Sequence, residues 1–199
     1  VHRACVPRLG SLRTRDGIVP APYPFREEVG PAKPAYVGVQ ISIEREESML
    51  NAERLTVKAG EALQAAASEA RRRGNPEVHG VHLLVALLRQ EEGIVQPILA
   101  KIGVGAERVA AAAGDAIGRM ARTEGGSDPR LSRDLTRALD AAEERARDLG
   151  DEYVSTEHLL AGLARERNDA GRILREAGAT PEAVDEALDA VRGSHRVTD

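Results

Sequence analysis

Along residues 52–120, apolar positions recur at three- and four-residue spacing. Leu55, Ala59, Ala62, Leu63, Ala66 and Ala70 form one stripe, which predicts a helix from about Ala52 to Arg73, capped by Asn51. Arg71-Arg72-Arg73 sets positive charge at the negative end of that helix dipole, and Gly74 supplies a left-handed stop. A second helix is expected over His82–Arg89. Leu83, Leu84, Leu87 and Leu88 leave it too apolar for a surface position, so it should be buried. A third helix covers Val95–Ile102 and ends at Gly103; a fourth, rich in alanine, covers about Ala106–Met120. The first 48 residues behave differently: they hold six of the ten prolines and only one strand-like stretch, Val37–Ile43.

The pattern then repeats. At an offset of 76 residues, Leu55 falls on Leu131, Ala62 on Ala138, Leu63 on Leu139 and Gly74 on Gly150. Val78 falls on Val154, His82 on His158, and Leu83, Leu84 and Leu87 on Leu159, Leu160 and Leu163. After one deleted residue the offset is 75, and Ile98-Leu99, Gly103 and Val109 meet Ile173-Leu174, Gly178 and Val184. Stop signals and buried faces recur together, so each repeat carries four helices. The last opens in the second copy with Thr180-Pro181-Glu182, a cap, a first-turn proline and an acid. Two copies fall short of a solenoid, which leaves a compact pseudo-twofold pair. The fold class expected is all-α: a tandem repeat of two four-helix motifs, 51–122 and 128–193, within a domain 49–193, joined through Thr123–Arg130.

Composition sharpens this division. Residues 1–48 carry seven basic and six acidic side chains of the 28 and 32 in the chain, so the remainder is at −5. Cys5, Tyr23, Phe25 and Tyr36 also lie there; Tyr153 is the one aromatic of the repeats. Glu46-Glu47-Ser48-Met49 has the form of a translated ribosome-binding sequence ahead of a start codon. Residues 1–48 are therefore read as upstream sequence in frame or as a disordered extension, the alternative being a genuine tail with a binding role. Acidic balance and scarce aromatics argue against a nucleic-acid partner. No apolar run approaches the ~18 residues of a membrane span, so no membrane partner and a cytoplasmic location are expected. A single cysteine excludes an internal disulfide framework.

Catalytic chemistry finds little support. A phosphate loop needs a glycine-rich turn followed by Lys-Ser/Thr, and Lys33, Lys58 and Lys101 have neither neighbour. His79, His82 and His158 lack the further ligands of a metal site, and a histidine packed at each helix start is the better reading. Asp151, Ser155 and His158 include the residue types of a hydrolytic triad, but without the strand-turn-helix signature of a nucleophile.

Asn51–Ala62 (NAERLTVKAGEA), Val81–Arg89 (VHLLVALLR), Val95–Gly103 (VQPILAKIG) and Tyr153–Leu163 (YVSTEHLLAGL) resemble the N-terminal domain of the Clp ATPases, and the stretch after Val191 resembles the start of the linker in the ClpB-type disaggregases. The resemblance implies an eight-helix, pseudo-twofold domain, with 194–199 beginning a linker to an ATPase module. It implies capture of unfolded or aggregated polypeptides for a homohexameric ring that uses ATP and Mg and works with the DnaK system; no cofactor is implied for this chain itself. It also carries substrate handling onto Thr56, Asp151 and Glu157. A groove beside them would be floored by small and apolar groups such as Leu139, Ala141, Ala142 and Leu159, which could equally be core. Asp151 and Glu157 flank a helix start, where carboxylates are favoured, and exposed there they would rim the groove. Capping and core packing are the plainer roles for the same residues. ClpC-type relatives use Glu before His in both repeats to recognise phosphorylated arginine. Here Glu157-His158 has only Val81-His82 as its counterpart, which argues against that ligand. A stand-alone adaptor or regulator with the same domain, or a ClpC-type unfoldase N-domain, is the alternative reading.

Overall fold

The structure is a computed structural model and describes residues 52–123 and 128–192. Asn51, the segment 1–48 and the linker residues 194–199 lie outside the described residues. Among those described are α1 (Val57–Arg73), β1 (Glu77–Val78), α2 (Gly80–Arg89), α3 (Val95–Ile102), α4 (Ala106–Gly118), β2 (Arg130–Leu131), α5 (Arg133–Asp148), α6 (Thr156–Arg165), α7 (Asp169–Ala177) and α8 (Pro181–Arg192). The mostly helical, eight-helix organisation is the one expected.

The first helix starts later than the apolar stripe suggests. Ala52–Arg54 form a single 3-10 turn, Leu55 is extended, and Thr56 is the N-cap of α1, its hydroxyl accepting the Ala59 N–H at 3.3 Å. The reason is a backbone partner that no local pattern reveals. Leu55 pairs in parallel with Val154, while Glu77 and Val78 pair in parallel with Arg130 and Leu131. At the repeat offset these are the same pairing made twice. The segment ahead of each repeat's first helix joins the segment ahead of the other repeat's second helix.

The helices cross over in the same way. α1 packs on α2 and α5 on α6, whereas α3 packs on α8 and α4 on α7. At the centre lie α2 and α6, buried from Gly80 to Leu88 and from Thr156 to Ala164. Leu83, Leu84, Leu87, Leu159, Leu160 and Leu163 are each about fully enclosed, on the order of 2 kcal/mol apiece in transfer terms. Gly74 and Gly150, at equivalent positions after α1 and α5, take φ of +70° and +71°. The one-residue difference between the copies is absorbed in the turn after α2, where Glu92 has φ +54°. Among the described residues no helix is long and apolar enough to cross a membrane.

Gly162 brings α5 and α6 into backbone contact: a Cβ there would collide with the Ala138 carbonyl and the Ala142 amide. The equivalent residue of α2 is Ala86. Histidines seat the two central helices. His82 Nδ1 accepts the His79 N–H at 3.0 Å, and His158 Nδ1 accepts the Ser155 N–H at 3.0 Å, doing at N3 what Glu or Gln does in a capping box.

Gly162→Ala is expected to cost about 1–3 kcal/mol by overpacking. Gly114→Ala, whose Cβ would meet open space within α4, should be neutral or stabilising by up to about 1 kcal/mol. Urea unfolding of both variants tests this, and equal effects would refute the close crossing.

Acid sensitivity follows from His82. Burial, with His79 adding to it, lowers its pKa from 6.5 to about 4. Below 6.5 the unfolded chain takes a proton that the folded protein refuses. Stability from this site is therefore complete above pH 6.5 and lost as pH falls through 4, on the order of 3 kcal/mol in all. The His79 pKa is raised by its hydrogen bond to Asp134, so His79 works oppositely, giving stability below 6.5 that disappears as pH rises through its folded value. Unfolding free energy measured from pH 7.5 to 4.5 should fall steeply, and His82→Asn should flatten the slope. An unchanged slope would assign the sensitivity to other groups.

Candidate functional site

The Leu55–Val154 pairing builds the site. Thr56 donates its N–H to the Val154 carbonyl at 3.0 Å, and Val154 donates to the Arg54 carbonyl at 2.7 Å. Thr56, the cap of α1, thus lies against the chain that leads from Asp151 into α6. Arg54 ties the same corner to α5 through Glu143, at 2.7 Å. The structure therefore brings together the three positions that the resemblance singles out, Thr56, Asp151 and Glu157, although they stand about a hundred residues apart in part.

Their environments differ from the expected exposed rim. The Asp151 side chain is fully buried. Its Oδ2 lies 2.9 Å from His158 Nε2, and Arg192, the last residue of α8, grips the same carboxylate at 2.5 Å (Nη1–Oδ2) and 2.6 Å (Nη2–Oδ1). Because His158 Nδ1 already accepts a backbone N–H, the proton of the neutral ring is assigned to Nε2, which lies between Asp151 Oδ2 at 2.9 Å and Arg192 Nη1 at 3.2 Å. Burial lowers the His158 pKa against the opposing pull of Glu157 and Asp151, so the ring is neutral. Asp151 is thus the centre of a buried cluster and not a rim residue. The cause is Arg192, which supplies the countercharge that lets a carboxylate be enclosed.

Ser155 Oγ is 2.9 Å from His158 Nδ1, so serine, histidine and aspartate do fall in line. The chemistry is nonetheless structural. Nδ1 shares its lone pair with a backbone N–H, all three residues are buried, and Arg192 occupies the carboxylate. Repeat one has the same arrangement without nucleophile or acid. There His82 Nδ1 takes the His79 N–H, and Nε2 is 3.2 Å from Asn75 Oδ1, whose amide donates to the Ala121 carbonyl at 2.9 Å. Both rings are committed to packing at a helix start. Among the described residues no group of three His, Cys, Asp or Glu could hold a metal ion. Nor do the residues fit ATP and Mg, since no lysine follows a glycine turn.

Glu157 is the carboxylate of this corner that the fold leaves without a counterion among the described residues. It is 7% exposed at the second position of α6, and it has no hydrogen-bond or ion-pair partner among the described residues. Beside Thr56, Val57 is 66% exposed, the most open large apolar side chain among those described. Leu139 and Leu159 do not floor a surface groove: both are 1% exposed in the core. Ala142 is buried with them and Ala141 is half-buried. They are core because α5 and α6 close on each other over Gly162.

Sequence reasoning missed Arg192, although self-comparison contains the signal: a charge stands where the first copy has Ile117. It also missed a groove of about 920 Å³ at the starts of α2, α5, α7 and α8, lined by His79, Asp134, Arg165, Arg167 and Arg172 among others. His79 Nδ1 meets Asp134 Oδ1 there at 3.1 Å. Burial would raise the Asp134 carboxyl, but hydrogen bonds from His79 and Ser132 outweigh it and hold the pKa at about 2. Val81 lines this groove at the position equivalent to Glu157.

Comparison with known proteins agrees with the helical fold. Over 145 residues the chain is 44% identical to the chaperone protein ClpB of Corynebacterium glutamicum, a match covering 72% of this chain and 17% of that relative. The chain therefore spans about a sixth of the length of the curated relatives it matches. The solved N-terminal domain of Hsp104 from Candida albicans superposes with a TM-score of 0.65 at 18% identity, covering 73% of this chain and 95% of that one. A ClpV N-domain in complex with a VipB peptide superposes at 0.58 with 20% identity, covering 73% and 91%. Residues 54–191 match the Clp repeat (R) N-terminal domain model, and the chain belongs to that family.

Proposed function

We propose that this chain is the client-capture domain of a ClpB-type disaggregase. The observation that carries the reading is the 44% identity to ClpB over nearly the whole helical region. The domain binds exposed segments of unfolded or aggregated polypeptides and delivers them to the ATPase ring of a homohexameric parent in the cytoplasm, which works with the DnaK system. ATP and Mg serve that ring and not this chain.

The site suits such a task. Glu157 offers an unpaired acid in a mostly enclosed setting, where attraction for a basic or amide-bearing side chain is less screened than on open surface. Thr56 adds a hydroxyl, and Val57 an apolar contact. Few groups and a small apolar area favour weak, sequence-tolerant binding, which suits a domain that must release its client. The ClpV N-domain solved with a VipB peptide supports peptide recognition on this fold.

Binding of the full 199-residue chain to reduced, carboxymethylated α-lactalbumin, followed by fluorescence anisotropy, tests the proposal. Micromolar or weaker affinity is expected. Glu157→Gln should weaken it roughly fivefold, about 1 kcal/mol, with little change in melting temperature, and salt should weaken the wild type more than the variant. No binding by the wild type would refute the reading, and unchanged binding by the variant would remove Glu157 from the site.

A further inference from the structure

The Asp151 cluster has a built-in control, because the molecule contains the same corner twice. In repeat one, the histidine at the start of α2 faces a neutral amide, Asn75, and the matching position of α4 is the apolar Ile117, 1% exposed. In repeat two, the amide has become Asp151 and the apolar residue has become Arg192, with two contacts of 2.5 and 2.6 Å. The two changes are chemically matched: either charge alone would be buried without its counterion, whereas together they form a bidentate pair. A packed neutral corner was sufficient for the fold in repeat one. The charged version adds directionality, since a guanidinium fork fixes the carboxylate plane and the end of α8 relative to each other.

What the pair joins is specific. Asp151 begins the segment that reaches Val154, the backbone partner of Thr56, and then Glu157. Arg192 ends α8, from which residues 193–199 continue. Arg145 of α5 holds the same helix at Asp185 and Asp189, at 3.2 and 3.1 Å, and Arg165 of α6 holds Asp185 at 2.6 Å. The corresponding face of α4 has Ala110 and Gly114 in place of Asp185 and Asp189. α8 is therefore pinned by ions to α5 and α6 along its length and to Asp151 at its end, and among the described residues α4 makes no such ion pairs.

We propose that Asp151 is a positioning residue that never touches the client: clamped by Arg192 and His158, it locks the end of α8 to the Thr56–Glu157 corner and so sets the presentation of Glu157. The proposal rests on the client-capture reading for its functional half and on the buried pair alone for its structural half. It reassigns a position that resemblance places in direct substrate handling. It also makes the orientation of the corner depend on the helix that leads toward residues 193–199.

The test uses repeat one as template, in the full chain. Asp151→Asn leaves the buried Arg192 guanidinium without the carboxylate that neutralises it. It should lower the melting temperature by about 10 °C, weaken binding of carboxymethylated α-lactalbumin about tenfold, and shift the amide resonances of Thr56, Val154 and Glu157. Arg192→Ile alone should do much the same. The double variant Asp151→Asn/Arg192→Ile reproduces the Asn75–Ile117 pairing. It should restore the melting temperature to within a few degrees, return those three resonances, and bring binding to within about twofold of wild type. A double variant with restored stability and resonances but no binding would show that the Asp151 carboxylate touches the client, and would overturn the proposal. A single variant with unchanged melting temperature and resonances would overturn the clamp itself. If the wild type bound no client, the client-capture reading would fail, while melting and resonances would still decide the clamp.

Discussion

The fold depends on an exchange of backbone pairing between its two halves. Each repeat gives the extended residues ahead of its first helix to the other repeat: Leu55 to Val154, and Leu131 to Val78. These ladders are too short to stand alone, since parallel pairs of two residues offer few hydrogen bonds for the chain entropy they fix. They persist because α2 and α6, each buried along nearly its full length, start where the ladders end. Each central helix packs first on its own repeat, α2 on α1 and α4 and α6 on α5, α7 and α8, and the other repeat completes the cover through α2 against α6 and α7 and through the crossed pairs α3–α8 and α4–α7. The pseudo-twofold relation thus completes the burial that each motif begins. One motif by itself would leave its third and fourth helices without their crossed partners and an unpaired edge.

Much of this was readable from the chain because duplication writes each signal twice. The apolar stripes, the left-handed glycines Gly74 and Gly150, and the histidines at the two buried helix starts all recur at one offset, and the structure uses them as the pattern implies. Where the reading went astray, the missing information was non-local. The apolar stripe through Leu55 suggested a continuous first helix, but the partner that breaks it, Val154, is some hundred residues away. Leu139 and Leu159 looked equally suited to a groove or a core. Their fate was decided by Gly162, whose missing side chain lets α5 and α6 meet. Asp151 has a helix-start context that suggests exposure, and only the arrival of Arg192 from another element makes burial possible.

The two copies have kept their apolar cores and diverged in their charges, and divergence is concentrated where function is proposed. Position 69, a buried Glu satisfied by Arg73 of its own helix at 3.0 Å and by Arg72, becomes Arg145, satisfied by Asp185 and Asp189 of α8. Position 81, a buried Val, becomes Glu157 with no partner among the described residues. A change of sign inside a packed region is compensated when a counterion appears with it, because removing one partner of a buried pair costs several kcal/mol, on the order of 3–5. Arg145 and Asp151 have such partners. Glu157 does not, and among the described residues it is the one buried acid new to the second repeat that has no counterion.

That contrast separates structural from binding charge more firmly than any motif. A carboxylate with a cation against both oxygens has little left to offer a ligand: recruiting it would mean breaking contacts already made in a low-dielectric interior. A carboxylate held near the surface by packing, without a counterion, keeps its attraction for whatever cation or amide arrives. By this criterion the roles proposed for Asp151 and Glu157, six residues apart and favoured equally by resemblance, are opposite. The first consumes its charge in holding the corner together, and the second presents its charge from that corner. The duplicated neutral corner at Asn75 and Ile117 shows that holding alone required no charge at all. The ionic version therefore marks the half of the molecule in which the angle between a site and its neighbouring helix has to be kept.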